Sequence, residues 1–306
     1  MKNEQTTLDM TRDQWLEARR HGIGGSDAGA ILGKNKWKSP LDVYQDKKGS
    51  SVEIPDNEAM YWGRNLEDLV AKEYEIRSGN KIRRNNRIVK HPDHDFIIAN
   101  LDREIVGKNG ILEVKTSRVA SDWGDPSTTE IPDNYLIQVH HYMAVTGAEF
   151  ADVAVLINGS DFRIYHIPRH KEIIDLMIAA EVKFWNEYVV PGIQPPPISA
   201  TDMKNLWPFD NGETLVTTNG TTQTVGKLKD VKQQIKDLKL DEKDLTLEIQ
   251  KVMADNSVLE DGDGHTLVTW KERKSRRFDT PRFKAEAMDI YEKFLVETSS
   301  RTFLLK

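Results

Sequence analysis

Between Pro191 and Pro197 the chain carries four prolines in seven positions. Proline lacks a backbone N–H and fixes φ, so no continuous helix or central strand crosses such a run. The sequence on its two sides also differs in kind. Before it, apolar stretches of strand and helix period alternate. After it, residues 198–224 have weak periodicity, and then a long stretch free of glycine and proline begins at Lys227. We therefore divide the chain into a core at 1–197 and a C-terminal appendage at 198–306. The chain is 306 residues long, enough to bury a sizeable core.

Within the core the local signals are specific. Thr11 with Gln14 three positions on is a capping-box pattern, predicting a helix to about Arg20. Gly22-Ile23-Gly24-Gly25-Ser26-Asp27 reads as a glycine turn, with Ser26 capping a helix that ends near Gly33. Ser39-Pro40 opens a short helix, and residues 58–79 carry a longer helical pattern stopped by Gly79. Strand-like runs follow at Arg83–Lys90, Phe96–Leu101 and Gly110–Lys115. Pro132 starts a helix to about Thr146. Strands fit Asp152–Ile157 and Phe162–Ile167, and an amphipathic helix fits 169–189. This order predicts an α/β core around a mixed sheet flanked by helices. In the appendage, Leu228, Val231, Ile235, Leu238, Leu245, Ile249 and Val252 follow 3–4 spacing, with Glu242 at one seam position. They predict a helix over 227–257, about 45 Å long, that is either a coiled-coil arm for oligomerisation or a partner or, the preferred reading, folded back on its own hairpin and final helix. The hairpin turns at Glu260–Gly264, the last helix runs from Thr280 to about Val296, and Arg301–Leu305 is a candidate strand.

Composition excludes several chemistries. Cysteine is absent, so there are no disulfides, thiolate zinc sites or cysteine nucleophiles. No run approaches 18 apolar residues, and no apolar signal-peptide core opens the chain, so the expectation is a cytoplasmic protein without a membrane span. Net charge is −6. That balance allows a local basic channel, and a divalent-cation site would itself add carboxylates.

The stretch with chemical content runs from Ile97 to Lys115. Asp102 follows an apolar strand that can pair as a hairpin with 110–115. In that second strand Glu113 and Lys115 share a face, because side chains alternate with period two. Two carboxylates and a lysine at one sheet edge suit phosphodiester hydrolysis. Carboxylates are hard ligands for Mg²⁺ or Mn²⁺. Such an ion lowers the pKa of bound water, and the lysine can orient that water, deprotonate it or neutralise developing charge. The Val114 carbonyl is a further candidate ligand.

Four motifs in order carry a resemblance. They are Trp15-x-x-x-Arg19 with Gly22-Ile23-Gly24-Gly25-Ser26-Asp27; Trp62-Gly63-Arg64-Asn65-Leu66-Glu67; Asp102 with Glu113-Val114-Lys115; and Tyr135-Leu136-Ile137-Gln138 with Tyr142. Over about residues 12–190 the chain resembles the phage lambda-exonuclease-like, YqaJ-type recombination nucleases of the PD-(D/E)xK superfamily. The resemblance implies a restriction-endonuclease-like core. It implies catalytic roles for Asp102, Glu113, Lys115, Glu67 and Gln138, and metal ligation by Asp102, Glu113, Val114 and Glu67. The cofactor would be Mg²⁺ or Mn²⁺, two ions per site. Arg19 and Ser26 would grip the terminal phosphate of a DNA end, with Tyr135 beside the bound strand. The implied activity is 5′-to-3′ resection of double-stranded DNA ends, by a ring-shaped homotrimer with a single-strand annealing protein as partner. Leu101 and Arg103 depart from the family's Pro and Gly; Arg103 would narrow the site or contact phosphate. A structure- or site-specific endonuclease, and a non-catalytic DNA-binding or assembly module, are the competing readings.

Other features weigh less. Lys81-x-Arg83-Arg84 and the cluster from Lys271 to Arg277 are candidate phosphate contacts, Arg83 and Arg84 the better ones for their nearness to the catalytic strands. Trp37, among three lysines, is either a DNA contact or a buried anchor. Adjacent His140 and His141 point to different helix faces, which argues against a shared metal. Asp261-Gly262-Asp263-Gly264 mimics part of a calcium loop but fits a hairpin turn. No phosphate-binding G-x-x-x-x-G-K-[ST] is present.

Overall fold

The computed structural model describes residues 4–51 and 55–306. The chain forms two units, Met1–Leu206 and Trp207–Lys306. The first continues past the proline run through a short helix. The carboxylate of buried Asp202 fixes that helix by accepting the Ile198 and Ser199 N–H groups at 2.8 and 3.1 Å.

The first unit begins with β1 (Glu4–Thr6) and three short helices, α1 (Arg12–Arg20), α2 (Gly25–Ile31) and α3 (Pro40–Lys47). The Thr11 capping box is formed. Helix α4 (Glu58–Ser78) follows, and Gly79 ends it in the left-handed conformation. Strands β2 (Ile82–Arg84), β3 (Arg87–Lys90), β4 (Ile98–Asn100), β5 (Arg103–Ile105) and β6 (Gly110–Ser117) come next. Then come α5 (Asp133–Thr146), β7 (Phe150–Ile157), β8 (Asp161–Pro168), α6 (Lys171–Phe184, continued by a π-turn at Trp185–Val189) and α7 (Ala200–Leu206).

The five-stranded sheet has the order β2-β5-β6-β7-β8, with β6 and β7 parallel and the other neighbours antiparallel. It is the mixed central sheet that the order of elements predicts. Helices flank both faces. Val139 and Met143 of α5 pack with Ile111, Val153 and Val155; Val70, Ala71 and Tyr74 of α4 pack with Leu112, Val114 and Ala154.

Two strand expectations need correction. The run Arg83–Lys90 is two strands, broken at Asn85-Asn86. β2 joins the central sheet, whereas β3 joins a separate sheet of order β1-β3-β4. Nor does the strand before Asp102 pair with β6. β4 pairs with β3, and it is β5, immediately after Asp102, that pairs with β6, Arg103 opposite Leu112. The chain changes sheets at Leu101-Asp102, and that switch aims the Asp102 carboxylate at β6.

In the second unit the long helix α8 runs Asn219–Met253, starting earlier and ending sooner than its apolar pattern predicts. The seam is not covered as a folded-back appendage requires: Leu238 is 66% exposed and Leu245 60%. Strands β9 (Val258–Glu260) and β10 (Thr266–Thr269) form the expected hairpin. The Asp261 carboxylate is engaged by the N–H groups of Asp263 and His265, as a turn requires. The final helix is two pieces, α9 (Thr280–Glu286) and α10 (Met288–Lys293), and Arg301–Leu305 is not a strand. Among the described residues no helix is long and apolar enough to cross a membrane.

Candidate active site

A cavity of about 400 Å³ opens in the first unit, lined by Asp102, Glu113, Lys115, Glu67 and Gln138 and also by Arg19, Ser26 and Arg84. Residues that lie far apart in sequence thus share one space.

On β6, Glu113 and Lys115 lie on the face that carries Ile111, turned toward α5. Glu113 is buried, and its Oε1 accepts from Gln138 Nε2 at 2.7 Å and from the Lys115 ammonium. Gln138 Nε2 also donates to the Tyr142 hydroxyl at 2.9 Å, so one carboxamide fixes both neighbours. The Asp102 carboxylate accepts the Val114 N–H at 2.9 Å. A strand residue's N–H and C=O point to the same edge, so the Val114 carbonyl faces the Asp102 side.

The electrostatics are lopsided. Burial and the neighbouring Glu113 push the Asp102 carboxyl up to about 7, against the opposing pull of Lys115. Lys115 is held in its charged form: burial works against the charge, but Glu113 and Asp102 outweigh it. Tyr142 stays a phenol, raised by burial and by the same carboxylates. This donor set of two close carboxylates and an adjacent carbonyl, with more negative charge than one lysine balances, fits a hard divalent cation. The charged Lys115 favours its electrostatic and orienting roles over that of a base.

Helices α1, α2 and α3 build the other end of the cavity. Arg19 lies in the last turn of α1 with its guanidinium 4.5 Å from the Trp15 ring centroid, and Nη2 donates to Ser26 Oγ at 3.3 Å. Ser26 does not cap α2 as expected.

 Gly24 holds the cap position, and the buried Asp27 carboxylate reaches back to accept the Gly24 N–H at 3.1 Å, which frees the Ser26 hydroxyl for Arg19. Asp27 is itself held by Lys38 and by the buried Lys47, each at 2.7 Å, and Lys47 Nζ also donates to the Arg19 carbonyl at 3.1 Å. Those lysines and Arg19 keep Asp27 ionised, well below the usual carboxylate range, despite its burial. Gly25 brings this turn against α5: a Cβ there would stand 2.6 Å from the Tyr142 ring. An exposed serine and a guanidinium over a buried ion-pair base make an anion site.

The remaining expectations divide. Glu67 reaches the cavity, paired with Arg103 at 2.8 Å. Arg103 is buried in the cavity wall, where it clamps acidic side chains. Arg84 lines the cavity and pairs with Asp68, whereas Arg83 pairs with Glu104 at 2.5 Å and is not part of the lining. Tyr135 also lies outside the lining. It stacks on Trp123, with Lys115 Nζ 4.8 Å from its ring centroid, so it flanks the lysine. His140 and His141 are buried, the first bonded to Leu136 O and the second to Glu181 and Ile98 O, so the two share no partner in these bonds. Trp37 is 74% exposed and so is not a buried anchor. Sequence reasoning missed Lys47, Asn85, Asn86 and Asn100. Only the polar break at Asn85-Asn86 gave any signal.

Comparison with known proteins settles the family. The YqaJ-like viral recombinase domain matches residues 14–149. Protein YqaJ of Bacillus subtilis (strain 168) is 41% identical over 97% of this chain and 95% of its own length. The chain belongs to the YqaJ family. Among solved structures, the alkaline exonuclease of Laribacter hongkongensis is similar with a TM-score of 0.50 at 20% identity, covering 57% of this chain and 91% of that one. That likeness places the core in the PD-(D/E)xK fold, and the cavity residues lie on the central strand β6, on flanking helices and on the loops beside them.

Proposed function

We propose that the chain is a metal-dependent exonuclease that resects double-stranded DNA from a phosphorylated 5′ end and leaves a 3′ single strand. One observation carries the reading: a single cavity joins the Asp102–Glu113–Lys115 group to the Arg19–Ser26 pair. Family membership and the fold support it. Asp102, Glu113 and the Val114 carbonyl would hold Mg²⁺ or Mn²⁺, which when bound supplies an activated water and Lewis-acid stabilisation of the phosphate. Gln138 fixes the Glu113 carboxylate so that its free oxygen keeps one direction. Lys115, as an ammonium, neutralises charge that grows on the scissile phosphate. Arg19 and Ser26 hold the terminal phosphate, which sets which linkage lies at Lys115. The family resemblance further supports a homotrimer and a single-strand annealing partner.

The test offers the protein Mg²⁺ with linear and covalently closed circular duplexes. Nucleotide release from the linear DNA alone is the expected result. Cleavage of the closed circle would favour an endonuclease, and inertness toward both with Mg²⁺ and Mn²⁺ would favour a non-catalytic module.

A further inference from the structure

We propose that the Arg103 guanidinium is a built-in cation of the active site, so that the site takes one divalent ion, at Asp102 and Glu113, and not two. This rests on the nuclease reading above.

Glu67 is the other carboxylate that α4 offers to the cavity, and a second ion would draw on it. That carboxylate is already engaged. Arg103 Nη1 donates to Glu67 Oε1 at 2.8 Å and to the Asp102 carbonyl at 2.6 Å, and Nη2 donates to Asp68 Oδ1 at 2.5 Å. The Arg103 side chain is only 6% exposed. Its place follows from the strand: Arg103 and Ile105 share the face of β5 turned to α4. A guanidinium does not shed its proton in a protein, so this charge is permanent. A divalent ion on Glu67 would sit beside that fixed charge, or would require a buried arginine to leave three acceptors at once. The Asp102 carboxylate is different. Among the described residues its hydrogen bond comes from the Val114 N–H, and no arginine or lysine donates to it. One end of the carboxylate cluster therefore has its cation covalently supplied, and the other end is left for a metal. Glu67 becomes the residue that positions Arg103.

The test counts Mn²⁺ ions bound per chain, by titration calorimetry and by the electron paramagnetic resonance of free Mn²⁺. It is run with and without a hydrolysis-resistant duplex bearing a 5′ phosphate. The wild-type protein is expected to bind one ion in both conditions. Arg103→Gln is expected to bind two, and the Arg103→Gln/Glu67→Gln double variant to return to one. Glu67→Gln alone is expected to keep one ion with Kd changed by less than about threefold, since Glu67 is not a ligand of that ion. Two ions on the wild-type protein, or one on a folded Arg103→Gln, would overturn the inference while leaving the nuclease reading intact. No ion on the wild-type protein would overturn both.

Discussion

The two ends of the cavity are built with opposite charge balance. At the Asp102 end, burial and the neighbouring Glu113 push one carboxylate up to about 7. At the Arg19 end, a single buried carboxylate, Asp27, is surrounded by Lys38, Lys47 and Arg19 and is held ionised. One end has anions in excess and the other has cations in excess. On the proposed reading the difference would let one small space take a divalent cation at one end and a phosphate at the other, each end carrying the charge that its ligand lacks.

Substitutions that erase this asymmetry should have the largest effects. On the nuclease reading Lys115→Ala removes the cation that would face the scissile phosphate, and we expect the cleavage rate to fall about 10³-fold, the scale of a lost electrostatic contact in a transition state. Binding of a DNA end, read by fluorescence anisotropy, should change only a few-fold. Equal losses in both would mean that Lys115 serves binding. Lys47→Met leaves the Asp27 carboxylate with Lys38 alone as its ion-pair partner at 2.7 Å, and since breaking a buried pair outright costs about 3–5 kcal/mol, a loss up to that size is expected. Denaturant unfolding should show that loss, and an unchanged midpoint would show that the pair does not brace the turn.

Smaller effects should separate the two ends. Arg19→Ala removes charge-assisted hydrogen bonds of about 1.5–3 kcal/mol each, so the preference for 5′-phosphate over 5′-hydroxyl ends should drop by ten- to a hundredfold. A preference that survives would locate phosphate recognition elsewhere. The smallest effect concerns pH. In the metal-free fold Asp102 keeps a proton between 3.8 and about 7 that the unfolded chain has released. Its contribution to stability is therefore present at low pH and is lost as pH rises to about 7. Denaturant unfolding across this range should show the loss, and Asp102→Asn should abolish it. With Mg²⁺ the sign reverses, because a bound ion needs the ionised carboxylate and its affinity should climb up to about pH 7.

Much of this site could be read in the sequence because its signals are local. Period-two alternation put Glu113 and Lys115 on one face, and i,i+4 spacing put Gln138 beside Tyr142. The capping box at Thr11 and the glycine at 79 marked helix ends that the structure keeps. What could not be read depends on distant partners. Nothing local tells that Lys47 answers Asp27, or that Arg103 turns to Glu67 rather than to solvent. Pairing Asp102's strand with β6 failed because a chain that switches sheets between residues 101 and 102 looks, residue by residue, like an ordinary hairpin. The end of α8 at Met253 was likewise hidden. Residues up to Ser257 contain no glycine or proline, and only the β9–β10 hairpin takes Val258 out of the helix.

The most direct measurement is a crystal structure with Mn²⁺ and a 5′-phosphorylated duplex end, read through the anomalous signal of the metal. The account predicts a Mn²⁺ peak between Asp102 and Glu113, with the terminal phosphate against Arg19 and Ser26. A terminal phosphate bound away from Arg19, or a metal peak that leaves Asp102 without a ligand role, would contradict it.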